Sequence, residues 1–142
     1  MKLSTNLVVD SLQDVANPAK VIEDLGFESL YISERKHDPF MQLAVAATAT
    51  DRIKLGPEIA LAFPRNPMVL AYSSWDLQQA TNGRFVLGLG TQVKAHNERR
   101  FGLKWESPGP KLREYILAIR AIWDCFQNGS ELNFHGEFFN FN

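Results

Sequence analysis

Short apolar runs alternate along this chain with longer stretches in which apolar residues recur at helical spacing. Residues 7–9 (LVV) form the first run. Asn17 then reads as a helix cap with Pro18 in the first position, because that position has no intrahelical N–H bond to lose. Val15, Ala19, Ile22 and Leu25 mark one face of this helix, and Gly26 ends it. Residues 29–33 (SLYIS) read as a second strand. Pro39 opens a second helix, with Asp38 as its cap and Phe40, Leu43, Ala44 and Ala47 on its inner face.

The same alternation continues. Residues 52–56 (RIKLG) read as a third strand, and Asn66–Pro67 repeats the cap-plus-proline signal. The third helix runs to about Thr81, where Gly83 supplies a positive φ. Residues 85–90 (FVLGLG) read as a fourth strand, followed by a long excursion over 91–110. From near Lys111, the residues Leu112, Tyr115, Ile116, Ile119, Ile122, Trp123 and Phe126 make the apolar stripe of a fourth helix. The tail, LNFHGEFFNFN, reads as two short extended pieces around His135–Gly136.

About four β-α units in a row predict an α/β fold with a parallel sheet and right-handed crossovers. Two architectures satisfy this order: an open doubly wound sheet, or part of an eight-fold β/α barrel. Periodicity does not separate them.

Composition narrows the function. The formal net charge is −1 and no basic run occurs, which argues against nucleic acid or an anionic membrane as partner. Cys125 is the only cysteine and the 3 histidines are scattered, so neither a disulfide nor a structural metal site is expected. No segment resembles a signal peptide or a membrane span, and the expected location is the cytoplasm.

Gly88 and Gly90 raise the question of a dinucleotide loop. That fingerprint needs a third glycine where Val93 stands, on the first strand of the fold, with a helix opening directly after it. None of these conditions holds, and no phosphate-binding Gly-Lys-Ser/Thr occurs either. Gly88 reads as a packing glycine. Gly90 sits at the carboxyl end of its strand, where α/β proteins place ligands.

The stretch RNPMVLAYSSWDLQQATNGRFVLGLGTQ closely resembles the luciferase-like monooxygenase superfamily, which pairs an N-P-x-x-x-A helix with a GR-F-x-LG-x-G strand. GFESLYISERKHDPF, RFGLKW and KLREYILAIRAIW are similar to the group within it that uses the deazaflavin coenzyme F420. The resemblance runs from Leu7 to about Phe139. Members are (β/α)8 barrels, a fold of about 250 residues. Residues 1–142 therefore resemble the amino-terminal half of such a TIM barrel.

The resemblance implies an oxidoreductase that passes hydride to or from the deazaflavin. Glu34 matches the family's acidic position after the second strand, and His37 is the nearest histidine. His37 lies three residues on, whereas relatives acting on a sugar phosphate have the pair adjacent. Polar loop residues are the alternative for both. Glu58 and Ile59 match a bulge whose non-proline cis peptide backs the coenzyme ring. Pro57 independently marks a strand end or bulge there, since it cannot donate to a central ladder. Gly90, Thr91 and Gln92 match a coenzyme-facing rim, with a turn-stabilising threonine as the alternative for Thr91.

His96, Arg99 and Arg100 read either as anion contacts or as the solvated face of a short helix, and Phe63 as pocket wall or packing. Trp75, Trp105 and Trp123 are expected in the core or an interface, and Cys125, beside the apolar stripe, is expected to be buried and inert. The expected partners are a small-molecule substrate and a second copy of the chain. The alternatives are an FMN-dependent monooxygenase, and a non-catalytic half-barrel that dimerises. The tail folded over an open strand edge is a further way to close the half-barrel.

Overall fold

The computed structural model describes residues 2–142. β1 (Ser4–Asn6), β2 (Ser29–Ile32) and β3 (Lys54–Pro57) form a sheet in that order, with every neighbour parallel. The register pairs Leu30 with both Thr5 and Leu55. α1 (Ala16–Asp24) and α2 (Pro39–Ala49) connect these strands, so the α/β reading with parallel crossovers holds. The strand expected at 7–9 lies earlier, over the polar Ser4–Asn6. Pairing with β2 sets the register, and the apolar run continues past it. The Leu7 amide still reaches Tyr31 O at 2.9 Å, and the Leu7 side chain is buried.

Local chemistry decides the helix starts. Asp38 Oδ1 accepts from the Phe40 amide at 2.9 Å, with Pro39 in the first turn. Asn66 Oδ1 does the same for the Met68 amide at 2.8 Å ahead of α3 (Pro67–Ala80). α1 begins slightly before its expected cap, so Asn17 and Pro18 lie inside its first turn. Ser11 instead caps the preceding 3-10 turn, Leu12–Asp14. On α2 the buried face carries Phe40, Leu43, Ala46 and Ala47 together with Gln42, whereas Ala44 faces out.

The third strand is broken after Pro57 by a cis peptide between Glu58 and Ile59, as the resemblance implied, and resumes as β4 (Ala60–Leu61). The fourth strand is correspondingly fragmented. Phe85 bridges Leu55, and then only Leu89–Gly90 is regular (β5). Pro57 has no N–H to offer the ladder there, which is why a continuous strand over 85–90 does not form. Ala60 N donates to Gly88 O at 2.8 Å and Ala62 N to Gly90 O at 2.9 Å. The bonded positions advance together, as parallel neighbours do.

The excursion over 91–110 holds α4 (Lys94–Phe101), ended by Gly102 at φ 65°. α5 (Pro108–Asn128) starts earlier than expected, and β6 (Phe134–His135) and β7 (Asn140–Phe141) form the antiparallel hairpin read from the tail.

Two compact units result. The first comprises residues up to Ala60 with Ser73–Leu89. Leu30, Ile32, Leu43, Ile53 and Leu55 are fully buried in it. Glu23 of α1 anchors the start of β3: its Oε1 accepts from the amides of Asp51, Arg52 and Ile53 at 2.9, 2.6 and 3.0 Å. Arg84 clasps the same region, donating to Ile53 O at 2.7 Å and Thr50 O at 2.8 Å.

The second unit comprises Leu61–Tyr72 and Gly90–Asn142. Leu61, Leu70, Tyr115, Ile119 and Ile122 form its core. Trp123 Nε1 donates to Ala71 O at 3.2 Å, and Tyr72 stacks on Phe126 at 5.6 Å. The tail hairpin pairs only with itself among the described residues and is held on α5, not laid along a strand edge. The Glu114 carboxylate accepts from the amides of Glu137, Phe138 and Phe139 at 3.0, 2.7 and 2.7 Å.

Candidate functional site

In the first unit, a cleft of about 250 Å³ opens at the carboxyl ends of β1 and β2. Leu7, Val8, Val9 and Asp10 form one side of it. Ser33, Arg35, Lys36 and His37 of the β2–α2 loop form the other, and Gln42 of α2 completes it. Two bonds fix this geometry. Gln42, only 4% exposed, donates from Nε2 to Val9 O at 3.1 Å. Asn6 Nδ2 donates to Ser33 Oγ at 2.9 Å. His37 is exposed on the cleft wall, and Glu34 is half-buried on the same loop. Asp38 is engaged as the α2 cap, as its position before Pro39 indicated.

Also in this unit, the exposed Glu58 donates its amide to Ile32 O at 3.0 Å, and Ile59 is half-buried. Gly88 lies so close to Pro57 that a Cβ there would run into the Pro57 carbonyl oxygen. Gly56 stands against the Val86 carbonyl in the same way. Gly88 is therefore the packing glycine that the sequence suggested.

In the second unit, Gly90, Thr91 and Gln92 lie in the segment leading into α4. Gln92 takes φ 60°, and its side-chain Oε1 accepts from the Val93 amide at 3.0 Å. The Thr91 hydroxyl donates to Gln92 O at 3.0 Å, the local turn contact weighed as its alternative role.

Sequence reading missed Asn97. It is 1% exposed and is the buried residue of α4. Its Nδ2 donates to Thr91 O at 2.8 Å and Val93 O at 3.1 Å, which fixes the shape of the segment. Its Oδ1 is buried with no hydrogen-bond partner. A buried acceptor left unpaired is costly, and the smallest donor that meets this one is an ordered water. α4 is so polar that no apolar face announced it. The sequence signal was a single amide residue one helical turn past the rim.

His96, Arg99 and Arg100 are exposed on α4, which is the solvated face. Phe63 packs edge-on against Trp105 at 6.0 Å, with Lys111 Nζ 5.3 Å from its ring centre. Cys125 is half-buried, more accessible than expected. Among the described residues no His, Cys, Asp and Glu group is arranged to hold a metal ion, and no helix is long and apolar enough to cross a membrane.

Known proteins match this chain over nearly all its length. It is 45% identical over 132 residues to an uncharacterised protein of Mycobacterium tuberculosis, covering 93% of this chain and 39% of that protein. It is 31% identical over 134 residues to the 5,10-methylenetetrahydromethanopterin reductase of Methanolobus tindarius, covering 93% of this chain and 40% of that protein. The chain thus spans about two fifths of the length of these curated relatives. The coenzyme F420-dependent tetrahydromethanopterin reductase of Methanopyrus kandleri superposes with a TM-score of 0.83 at 24% identity, over 99% of this chain and 44% of that one. The luciferase-like monooxygenase family model matches residues 2–142, and the chain belongs to that family.

Proposed function

We propose that this protein is an oxidoreductase that binds a deazaflavin of the F420 type. The observation that carries this reading is Asn97, buried behind the Thr91–Val93 backbone and fixing its shape through Nδ2. Gly90, Thr91 and Gln92 supply backbone groups to the edge of a deazaflavin ring, and Asn97 holds that segment in shape from behind. The match, at 30% identity over 127 residues, to a Mycobacterium tuberculosis protein named as a putative coenzyme F420-dependent oxidoreductase favours the deazaflavin over FMN.

When bound, the coenzyme supplies or accepts a hydride. The chain's own part is orientation and proton handling. Loss of hydride from an alcohol carbon requires removal of the hydroxyl proton by a base within hydrogen-bond reach. His37 and Glu34, on the β2–α2 loop, are the groups proposed for this. His37 already faces a cleft that holds a small molecule's worth of space. Glu58 and Ile59 are proposed to back the coenzyme ring, as the family resemblance implies.

The test is a thermal-shift titration of the purified protein with oxidised F420, alongside Asn97→Ala. Binding raises the melting temperature by mass action. The wild type is expected to shift, and Asn97→Ala to need about tenfold more coenzyme for the same shift. An equal response from both proteins would remove Asn97 from the coenzyme site.

A further inference from the structure

The cleft at the ends of β1 and β2 has a charge pattern that the proposed hydride chemistry does not require. Lys36 and His37 line it, and neither side chain makes a hydrogen bond or ion pair among the described residues. Arg35 also lines the wall but is engaged within the protein, which leaves Lys36 as the available permanent cation beside the carboxylate of Asp10. Leu7, Val8 and Val9 face them with apolar surface, and Val8 is 60% exposed.

We propose that this cleft receives the anionic end of a small, partly apolar substrate, with a carboxylate or phosphate as the recognised group. The assignment rests on the oxidoreductase reading above and names the substrate class for it. The Lys36 ammonium presents three donors and no acceptor, and the neighbouring His37 ring, kept for the hydroxyl proton, serves here as the reporter of what enters the cleft. The Ser33 hydroxyl, whose oxygen already accepts from Asn6, retains its own proton to give. Lys36 and Ser33 line the same side of the cleft, where an oxyanion can draw on both. Gln42 is pinned to Val9 O, which keeps the apolar side of the cleft in place as α2 closes it. The Leu7–Val9 surface suits the carbon chain behind the charged group, while Asp10 opposes the anion. Removing the Asp10 charge and removing the Lys36 charge must therefore act in opposite directions, and saturation with a preference for butanoate over acetate separates a built site from general attraction.

The experiment follows the ring resonances of His37, assigned with His37→Gln, in the purified protein at low ionic strength. The probes are acetate, butanoate, inorganic phosphate and butylammonium. A saturable His37 shift is expected with butanoate or phosphate, weaker binding with acetate than with butanoate, and no response to butylammonium. Saturation by butanoate alone assigns a carboxylate substrate, and by phosphate alone a phosphorylated one. Lys36→Gln should weaken the effective probe about threefold to fivefold, and Asp10→Asn should tighten it by about twofold.

Excess oxidised F420 should leave probe binding unchanged. Displacement by the coenzyme would overturn the substrate assignment. So would the absence of a saturable shift, equal affinity in Lys36→Gln, or a response to butylammonium. Coenzyme binding is read separately, by absorbance. A protein that binds coenzyme but no anion sinks only the cleft assignment, and one that binds anion but no coenzyme sinks the oxidoreductase reading.

Discussion

Gly88 and Pro57 touch through their backbones: a Cβ on Gly88 would overlap the Pro57 carbonyl oxygen. The close approach brings Gly88 O within 2.8 Å of the Ala60 amide. Gly88→Ala therefore forces backbone, not a flexible side chain, to move. The expected cost is about 1–3 kcal/mol, the range for overpacking a tight interior. Gly109→Ala is the control, since a Cβ there meets nothing within 4 Å. It should be neutral or stabilise by less than about 1 kcal/mol. Urea unfolding of the two variants checks the contrast.

Glu23 ties acid stability to the start of β3. Burial by itself raises its pKa, but the Lys20 bond and the amides of Arg52, Ile53 and Asp51 outweigh burial and bring it down to about 2. The folded value is below the unfolded 4.5, so the stabilisation is fully present above the unfolded value. It is lost as pH falls from about 4.5 towards about 2, and amounts to about 3 kcal/mol. Glu23→Gln should lower stability at neutral pH and converge on the wild type in acid. Chemical unfolding of both proteins across that window is the measurement. A difference that does not depend on pH would refute the carboxylate's role.

Glu114 holds the tail by the same device. Its carboxylate gathers the amides of Glu137, Phe138 and Phe139, and Tyr115 meets Phe139 edge-on at 5.5 Å. Glu114→Ala should release the hairpin locally. Amide hydrogen exchange at 137–139 should speed up by about tenfold or more, since each bond to a charged acceptor is worth about 1.5–3 kcal/mol. Exchange in β1–β3 should not change. Uniform acceleration would mean that Glu114 supports the whole protein.

Thr91 separates a rim residue from a turn residue. Its hydroxyl donates to Gln92 O at 3.0 Å, so Thr91→Val should cost about 0.5–1.5 kcal/mol of stability. If the hydroxyl serves the turn alone, coenzyme affinity stays within about twofold of wild type. A loss of about tenfold places it in contact with the coenzyme. Paired melting and binding measurements on one preparation distinguish the outcomes.

The features legible in the sequence are those set by adjacent residues. Asp38–Pro39, Asn66–Pro67 and Gly83 mark their helix ends correctly because capping and positive φ are local chemistry. The Glu58–Ile59 bulge was legible through Pro57 and the family resemblance together. Pairing was not local. The first strand lies ahead of its apolar run because β2 sets the register, and Ala44 faces out because α2 turns Gln42 inward to reach Val9. Asn97 was invisible because a polar helix hid a buried amide whose partners, Thr91 O and Val93 O, are backbone atoms.

The central claim is that the protein takes a deazaflavin. Equilibrium binding of oxidised F420 and of FMN to the same purified sample tests it most directly. Saturable binding of F420, at least about tenfold tighter than FMN, is the expected result. Tighter binding of FMN, or no binding of F420, would contradict it.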